Sequence, residues 1–176
     1  MKKIAKLLCL LLIGALLLTG CDTGLLGDIV DMASDEVKEK TFTNAGVTMT
    51  LTSKFLDFTS TATNTEEYDF LYASEDFALF GVQDPKADLA DFGELDAKSY
   101  GELISELYVL DTAVEEKDGK YTLSYEVEDE DGKLTFVCLF LETEDAFWLI
   151  QASSPSDLYE ANKDQLWTWL SSATIQ

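Results

Sequence analysis

Two Asp-Gly pairs, Asp118-Gly119 and Asp131-Gly132, bracket a run in which Tyr121, Leu123, Tyr125 and Val127 alternate strictly with polar residues. Asp-Gly readily supplies the positive φ angles of a two-residue turn whose twist matches that of its flanking strands, so the pattern calls for antiparallel hairpins. Thr112 to Lys117 is expected as a strand ahead of the first turn. After the second, Leu134 to Leu141 is apolar on both faces, which requires cover on both sides. A polar turn at Glu142 to Asp145 leads into Ala146-Phe147-Trp148-Leu149-Ile150-Gln151-Ala152. A chain with this centre is bound to fold around an antiparallel meander.

The flanking segments supply the cover. Tyr100, Leu103, Ile104, Leu107 and Tyr108 recur at helical spacing, and Ser99 with Glu102 has the spacing of a capping box. Gly101 inside that helix costs about 1 kcal/mol against alanine. A second helix is expected with Ser154 as N-cap, Pro155 in the first helical position and Asp157 in the first turn. Leu158, Tyr159, Leu166, Trp169 and Leu170 form its apolar face. Val47, Met49 and Leu51 alternate with threonines in an early strand, and the runs around Ser74-Glu75 read as a hairpin. Pro85 to Asp96 reads as an acidic loop. The fold class that follows is α+β, an antiparallel β-sheet flanked by helices on both faces, an α/β/α sandwich.

In element order and local texture, the stretch from about Phe42 to Ile175 resembles the Mog1/PsbP-like domains, which include small PsbP-like lipoproteins of Gram-positive bacteria. The resemblance lies in FTNAGVTMTL, SYGELISELY, YTLSYEVEDEDGKLTF, AFWLIQASSP and the closing helix. Ser53-Lys54 stands where members usually carry a proline. The resemblance implies no shared catalytic residues and favours a binding or accessory role.

The N-terminus reads as an address. Lys2, Lys3 and Lys6 precede an apolar core from Leu7 to Leu18, about a dozen residues, which suits a signal peptide and falls short of the ~20 that a spanning helix needs. Leu18-Thr19-Gly20-Cys21 follows and resembles a bacterial lipobox. That resemblance implies cleavage before Cys21, lipid attachment at Cys21 and a membrane anchor on the extracytoplasmic face. Two or three acyl chains hold a protein to a bilayer stably, where one holds it only marginally. Asp22 resembles the inner-membrane retention signal of Gram-negative lipoproteins, which has no meaning in a one-membrane host. The expected organisation is residues 1–20 as signal peptide, 21–40 as lipidated cysteine and tether, and 41–176 as one globular domain. Leu26, Ile29, Val30, Ala33 and Val37 follow helical spacing within the tether.

Charge limits the partners. The chain carries 12 lysines, no arginine and no histidine against 34 acids, a net charge of −22. Without residues 1–20 it keeps nine of those lysines, and its charge falls to near −25. Phosphate backbones repel such a surface, so nucleic acid is excluded as a partner. Anionic headgroups repel it as a whole, which leaves the acyl anchor as its hold on the membrane. A protein partner fits the composition; oligomeric state is left open.

Chemistry has little to work with. Without histidine there is no Ser-His-Asp or Cys-His pair and no imidazole metal site. With Cys9 in the signal and Cys21 lipidated, Cys138 is the sole free thiol. It sits mid-strand among apolar neighbours and is expected as a buried structural residue. Asp22 and Asp111 each begin a sequence like the aspartic-protease triplet, but one adjoins the lipid and the other a helix end. No catalytic residue and no cofactor is therefore expected. Glu126 to Asp131 concentrates carboxylates at a hairpin tip, but Val127 and Cys138 occupy the first and last ligand places of an EF-hand register. A looser Ca²⁺ site using Asp129 and Asp131 stays open, as does a small-ligand module. Trp167 and Trp169, two apart on one helix, should not both face the core, so one is expected to be partly exposed and available to a partner.

Overall fold

The computed structural model describes residues 37–60, 68–129 and 132–175. The elements in chain order are β1 (Glu39–Asn44), β2 (Val47–Thr52), β3 (Leu56–Asp57), β4 (Phe70–Ala73), β5 (Ala78–Pro85), a 3-10 helix (Lys86–Phe92) and α1 (Ala97–Leu107). Then follow β6 (Glu115–Lys117), β7 (Lys120–Asp129), β8 (Gly132–Glu142), β9 (Ala146–Pro155), α2 (Ser156–Ser171) and β10 (Thr174–Ile175). A seven-stranded sheet runs in the order β3-β4-β5-β9-β8-β7-β6, and β1-β2-β10 form a smaller sheet. Every pairing is antiparallel.

The meander forms in the register that the sequence demands. Tyr121 stands opposite Phe140 and Asp129 opposite Gly132, while Leu134 to Glu142 of β8 runs against Phe147 to Pro155 of β9. Asp118 and Gly119 both have positive φ, 53° and 74°, as a turn matched to the strand twist requires.

Both faces of the large sheet are covered. On one, Val137, Leu139, Trp148, Ile150 and Ala152 pack with Leu166, Trp167, Trp169 and Leu170 of α2 and with Val47, Met49 and Leu51 of β2. On the other, Tyr100 and Ile104 of α1 meet Leu123, Cys138, Phe140, Phe147 and Leu149. The α2 side also receives the small sheet, which sequence periodicity does not announce. It joins the two ends of the described chain: β10 pairs with β2, and Ser172 Oγ accepts the Thr50 N–H at 2.9 Å. The last turn of α2 has no basic residue of its own. Lys120 of β7 serves instead, with Nζ donating to the carbonyls of Ser171 (2.8 Å) and Ala173 (3.3 Å).

Several boundaries differ from the sequence reading. The N-cap of α1 is Asp96, whose Oδ1 accepts the Ser99 N–H at 2.8 Å, while Ser99 Oγ accepts the Asp96 N–H at 2.8 Å. Ser99 is thus the third residue of the capping box, and Glu102 pairs with Lys98 one turn away. A carboxylate caps as well as a hydroxyl and adds a negative charge at the positive helix end. Tyr108 falls just past the helix, as its C-cap. Strand β9 runs on through Pro155, so Ser154 is a buried strand residue and α2 starts at Ser156 with Pro155 as N-cap. Lys86–Phe92 is a 3-10 helix where a loop is expected, Thr112 to Val114 stay outside β6, and Glu39 and Lys40 already belong to β1.

Two backbone positions in and beside α1 break local rules in opposite ways. A Cβ on Gly101 would stand 2.8 Å from the Phe140 ring, so the helix approaches the sheet only because that atom is missing. Val109 occupies the left-handed region at φ 55°, a conformation that glycine takes freely and a β-branched residue does not. It is the C′ residue of a Schellman cap, in which the Leu110 N–H reaches Ser105 O at 2.9 Å and the Val109 N–H reaches Glu106 O at 3.1 Å. Substitutions should therefore act against intuition. Gly101→Ala, favoured by helix propensity, should lower stability by about 1–3 kcal/mol because Phe140 must move. Val109→Gly should raise it by about 1 kcal/mol. Urea unfolding at neutral pH measures both.

Candidate functional site

The residues singled out in the sequence are not gathered in one place. Trp167 and Trp169 are both buried, at 8% and 6% exposure, which corrects the expectation that one faces solvent. Trp167 covers the β6–β7 turn, with Nε1 donating to Asp118 Oδ2 at 2.8 Å and Lys117 Nζ 4.6 Å from the ring centre. Trp169 turns its edge to Phe55 and Phe77 at 4.9 and 5.3 Å. The small sheet and the 118–119 turn give the helix two flanks to pack on, so residues two apart can both be covered. Neither ring is available to a partner.

Cys138 has no exposed surface, and burial pushes its thiol up to about 12, so it carries no thiolate at neutral pH. The Gln151 amide nitrogen lies 3.1 Å from Cys138 Sγ and 3.1 Å from the Tyr125 hydroxyl, which puts a small polar knot inside the α1 layer. Cys21, Asp131 and the side chain of Asp129 lie outside the described residues. Near that hairpin tip, Glu126 pairs with Lys133 at 2.6 Å. Among the described residues no group of three or more acids or cysteines is placed to hold a metal ion.

A second polar centre is one that sequence reasoning missed. Tyr100, fully buried on α1, stacks on Phe147 at 4.8 Å and donates its hydroxyl to Asp84 Oδ2 at 2.6 Å. Burial raises the Asp84 carboxyl above its usual range, the Tyr100 hydrogen bond opposes that, and Asp69 and Asp88 add to the rise. Lys86 bridges to Glu142 at 2.7 Å, and the other Glu142 oxygen accepts the Ala97 N–H at 3.2 Å. These contacts tie the 3-10 helix and the start of α1 to the sheet. The available signal was Tyr100 itself, a polar-tipped ring in the middle of an apolar helix face, which needs a buried partner.

Two surface features remain. Beyond α1, Val109 is 87% exposed and Leu107 38%, beside the strained Val109 backbone. At the start of the described chain, a groove of ≈ 380 Å³ lies between the β1–β2 hairpin and α2. Leu51 and Trp169 belong to its lining, with Val37, Lys38, Glu39 and Thr168 around them. Its β side belongs to the stretch Val37–Leu56, with three lysines against one glutamate, in a chain of net charge −22. The outward side of that sheet is uncharged, with Thr43, Thr48 and Thr174 in one cross-strand row.

The Asp84–Tyr100 pair makes a pH-dependent prediction. A carboxyl whose folded pKa is raised binds protons more tightly folded than unfolded. Its destabilising effect is therefore absent below the unfolded value of 3.8 and grows as pH rises from there through the folded value. Asp84→Asn, which can still accept from Tyr100, should match or exceed the parent's stability at pH 7 and reduce the fall in stability over that window. Tyr100→Phe should cost about 1–3 kcal/mol at pH 7 by stripping a buried carboxylate of its donor. Urea titrations from pH 4 to 7 compare the three proteins.

No family model matches the chain, and no curated protein matches it. Among solved structures, it is similar to the solution structure of cyanobacterial PsbP (CyanoP) from Synechocystis sp. PCC 6803, at 12% identity and a TM-score of 0.46 over 89% of this chain and 98% of that one. It is also similar to a crystal structure from Bacteroides thetaiotaomicron VPI-5482, at 14% identity and a TM-score of 0.46 over 75% of this chain; there it spans 46% of the longer chain. The family that the sequence resembles and the Synechocystis structure carry the same PsbP name, and the function of neither neighbour is carried over at this level of similarity.

Proposed function

We propose that this chain is an extracytoplasmic lipoprotein, cleaved before Cys21 and lipidated there, whose α+β domain binds a protein partner without catalysis. The anchor half of the reading is supported by the sequence alone, through the short apolar core and the Leu18-Thr19-Gly20-Cys21 run behind it. On this reading residues 21–40 are the tether and 41–176 the working domain. No described helix is long and apolar enough to cross a membrane.

The non-catalytic half is supported by how the reactive groups are occupied. Cys138 is sealed in the core, and the Asp84–Tyr100 pair fastens one layer to another.

Val109 carries the binding half. Its strain would be relieved by glycine, and its side chain gains almost nothing from the domain, being 87% exposed. Strain without internal compensation points to an external contact. An exposed Val109 beside Leu107 offers a small apolar contact on an otherwise acidic protein, and that contact suits a protein surface.

The test uses intact cells. A photo-crosslinking residue at position 107 should give one discrete protein adduct that is absent when the same residue replaces the exposed Glu160. Val109→Gly should abolish the adduct at least several-fold while raising stability, so that loss cannot be blamed on unfolding. An adduct indifferent to Val109→Gly, or equal labelling from 107 and 160, would refute the partner contact. The intact mass of membrane-extracted protein checks Cys21 separately, since a lipidated chain is heavier by a diacylglyceryl group and Cys21→Ser is not.

A further inference from the structure

The groove beside β1 lies where the described chain begins, at Val37. Three independent observations meet there. Lys38, Lys40 and Lys54 make this the cationic end of an acidic protein; Ser53 Oγ accepts the Lys38 N–H at 3.2 Å, which holds Lys38 and Lys54 at the same end of the hairpin. The groove walls carry donors without carrying much charge: the hydroxyls of Thr50, Thr52, Thr168 and Ser172 and the amide of Gln165, with Glu39 the one carboxylate. Trp169 supplies an apolar surface. The tether toward Cys21 leaves from this point.

We infer that the groove seats the phosphate headgroup of an anionic bilayer lipid and holds the β1–β2 hairpin against the membrane. This inference rests on the lipoprotein reading, since the lipid at Cys21 is what brings the groove to the bilayer. An ammonium among hydroxyl donors suits a phosphodiester, and an indole beside a wet cavity suits the headgroup level. Each lysine near an anionic surface contributes attraction that fades within a Debye length. The acidic remainder of the domain is repelled by the same surface. Attraction at one end and repulsion over the rest would orient the domain even though its total charge opposes adsorption. The tether then acts as a short leash on a domain seated by its own hairpin.

The experiment is hydrogen exchange on the full chain in nanodiscs of neutral phosphatidylcholine, with and without phosphatidylglycerol. Segments 38–41, 50–54 and 165–172 should exchange several-fold more slowly with phosphatidylglycerol present, and α1 should not change. The difference should vanish at high salt, in the combined Lys38→Gln, Lys40→Gln and Lys54→Gln variant, and in Thr168→Glu, which sets a carboxylate on the exposed rim. Equal exchange in the two disc types overturns the inference. So does equal protection by inorganic phosphate alone, which would make the groove a soluble-phosphate site. The intact mass of the same sample keeps the two readings apart. A missing diacylglyceryl group with lipid-specific protection refutes the anchor at Cys21 and spares the groove; a lipidated Cys21 with no protection refutes the groove and spares the anchor.

Discussion

Everything in this domain leans on β9. Its residues from Ala146 to Ser154 are buried without a break, and the strand lies between β5 and β8 with full-length pairing on both sides. Because a strand sends alternate side chains to opposite faces, the same stretch builds two cores. Trp148, Ile150 and Ala152 meet α2 and the small sheet, while Phe147 and Leu149 meet α1. Each large side chain so buried contributes about 1.5–3 kcal/mol. A one-residue slip in register would exchange the two sets, placing Trp148 where Gly101 leaves room for nothing larger than Phe140. The register is therefore held by volume as well as by hydrogen bonds.

The surface works against that core. A net charge of −22 repels itself whenever the chain is compact, and exposed ion pairs such as Lys163–Glu160 return little. The lysines that matter most to the fold act on something other than a surface acid: Lys120 on the carbonyls at the end of α2, Lys117 on the Trp167 ring. The same charge has a use at the edges. The two outer strands of the large sheet are a two-residue β3 and the exposed Glu115-Glu116-Lys117 of β6. Short, charged edges of this kind resist pairing with another chain.

How much of this could be read in advance depended on whether the cause was local. The meander was legible because Asp-Gly turns and period-two alternation are properties of a few adjacent residues. The helix faces were legible for the same reason, and the burial of Cys138 followed from its neighbours in β8. The small sheet was not, since Thr174 and Thr48 meet only through the path of the whole chain. The tryptophan expectation failed because a helix was judged by its own periodicity, whereas two other elements decide what covers Trp167 and Trp169. Asp84 gave no sign of its own: its environment comes from α1, Asp69 and Asp88, none adjacent to it in sequence. Ser99 lost the cap to Asp96 because both residues suit an N-cap three places apart, and spacing alone does not choose between them.

Gly101 and Val109 show where such reasoning stops being about folding. Both violate the preference of their positions, since a helix interior wants alanine and a left-handed C′ wants glycine. A foldable sequence agrees with itself across levels, so each violation calls for a compensating gain. Gly101 has one inside the protein, in the closeness of Phe140, and removing the violation should do harm. Val109 has none inside it: the side chain points into solvent at 87% exposure, and the Schellman hydrogen bonds would form as well around glycine. The same comparison applied to the hairpin at the start of the domain gives the same kind of answer. Lys38, Lys40 and Lys54 crowd positive charge at one end of a two-stranded hairpin whose outward face is otherwise threonine, an arrangement that packing does not require. Features that the fold neither needs nor repays are the ones whose cause is to be sought outside it, in what the domain touches.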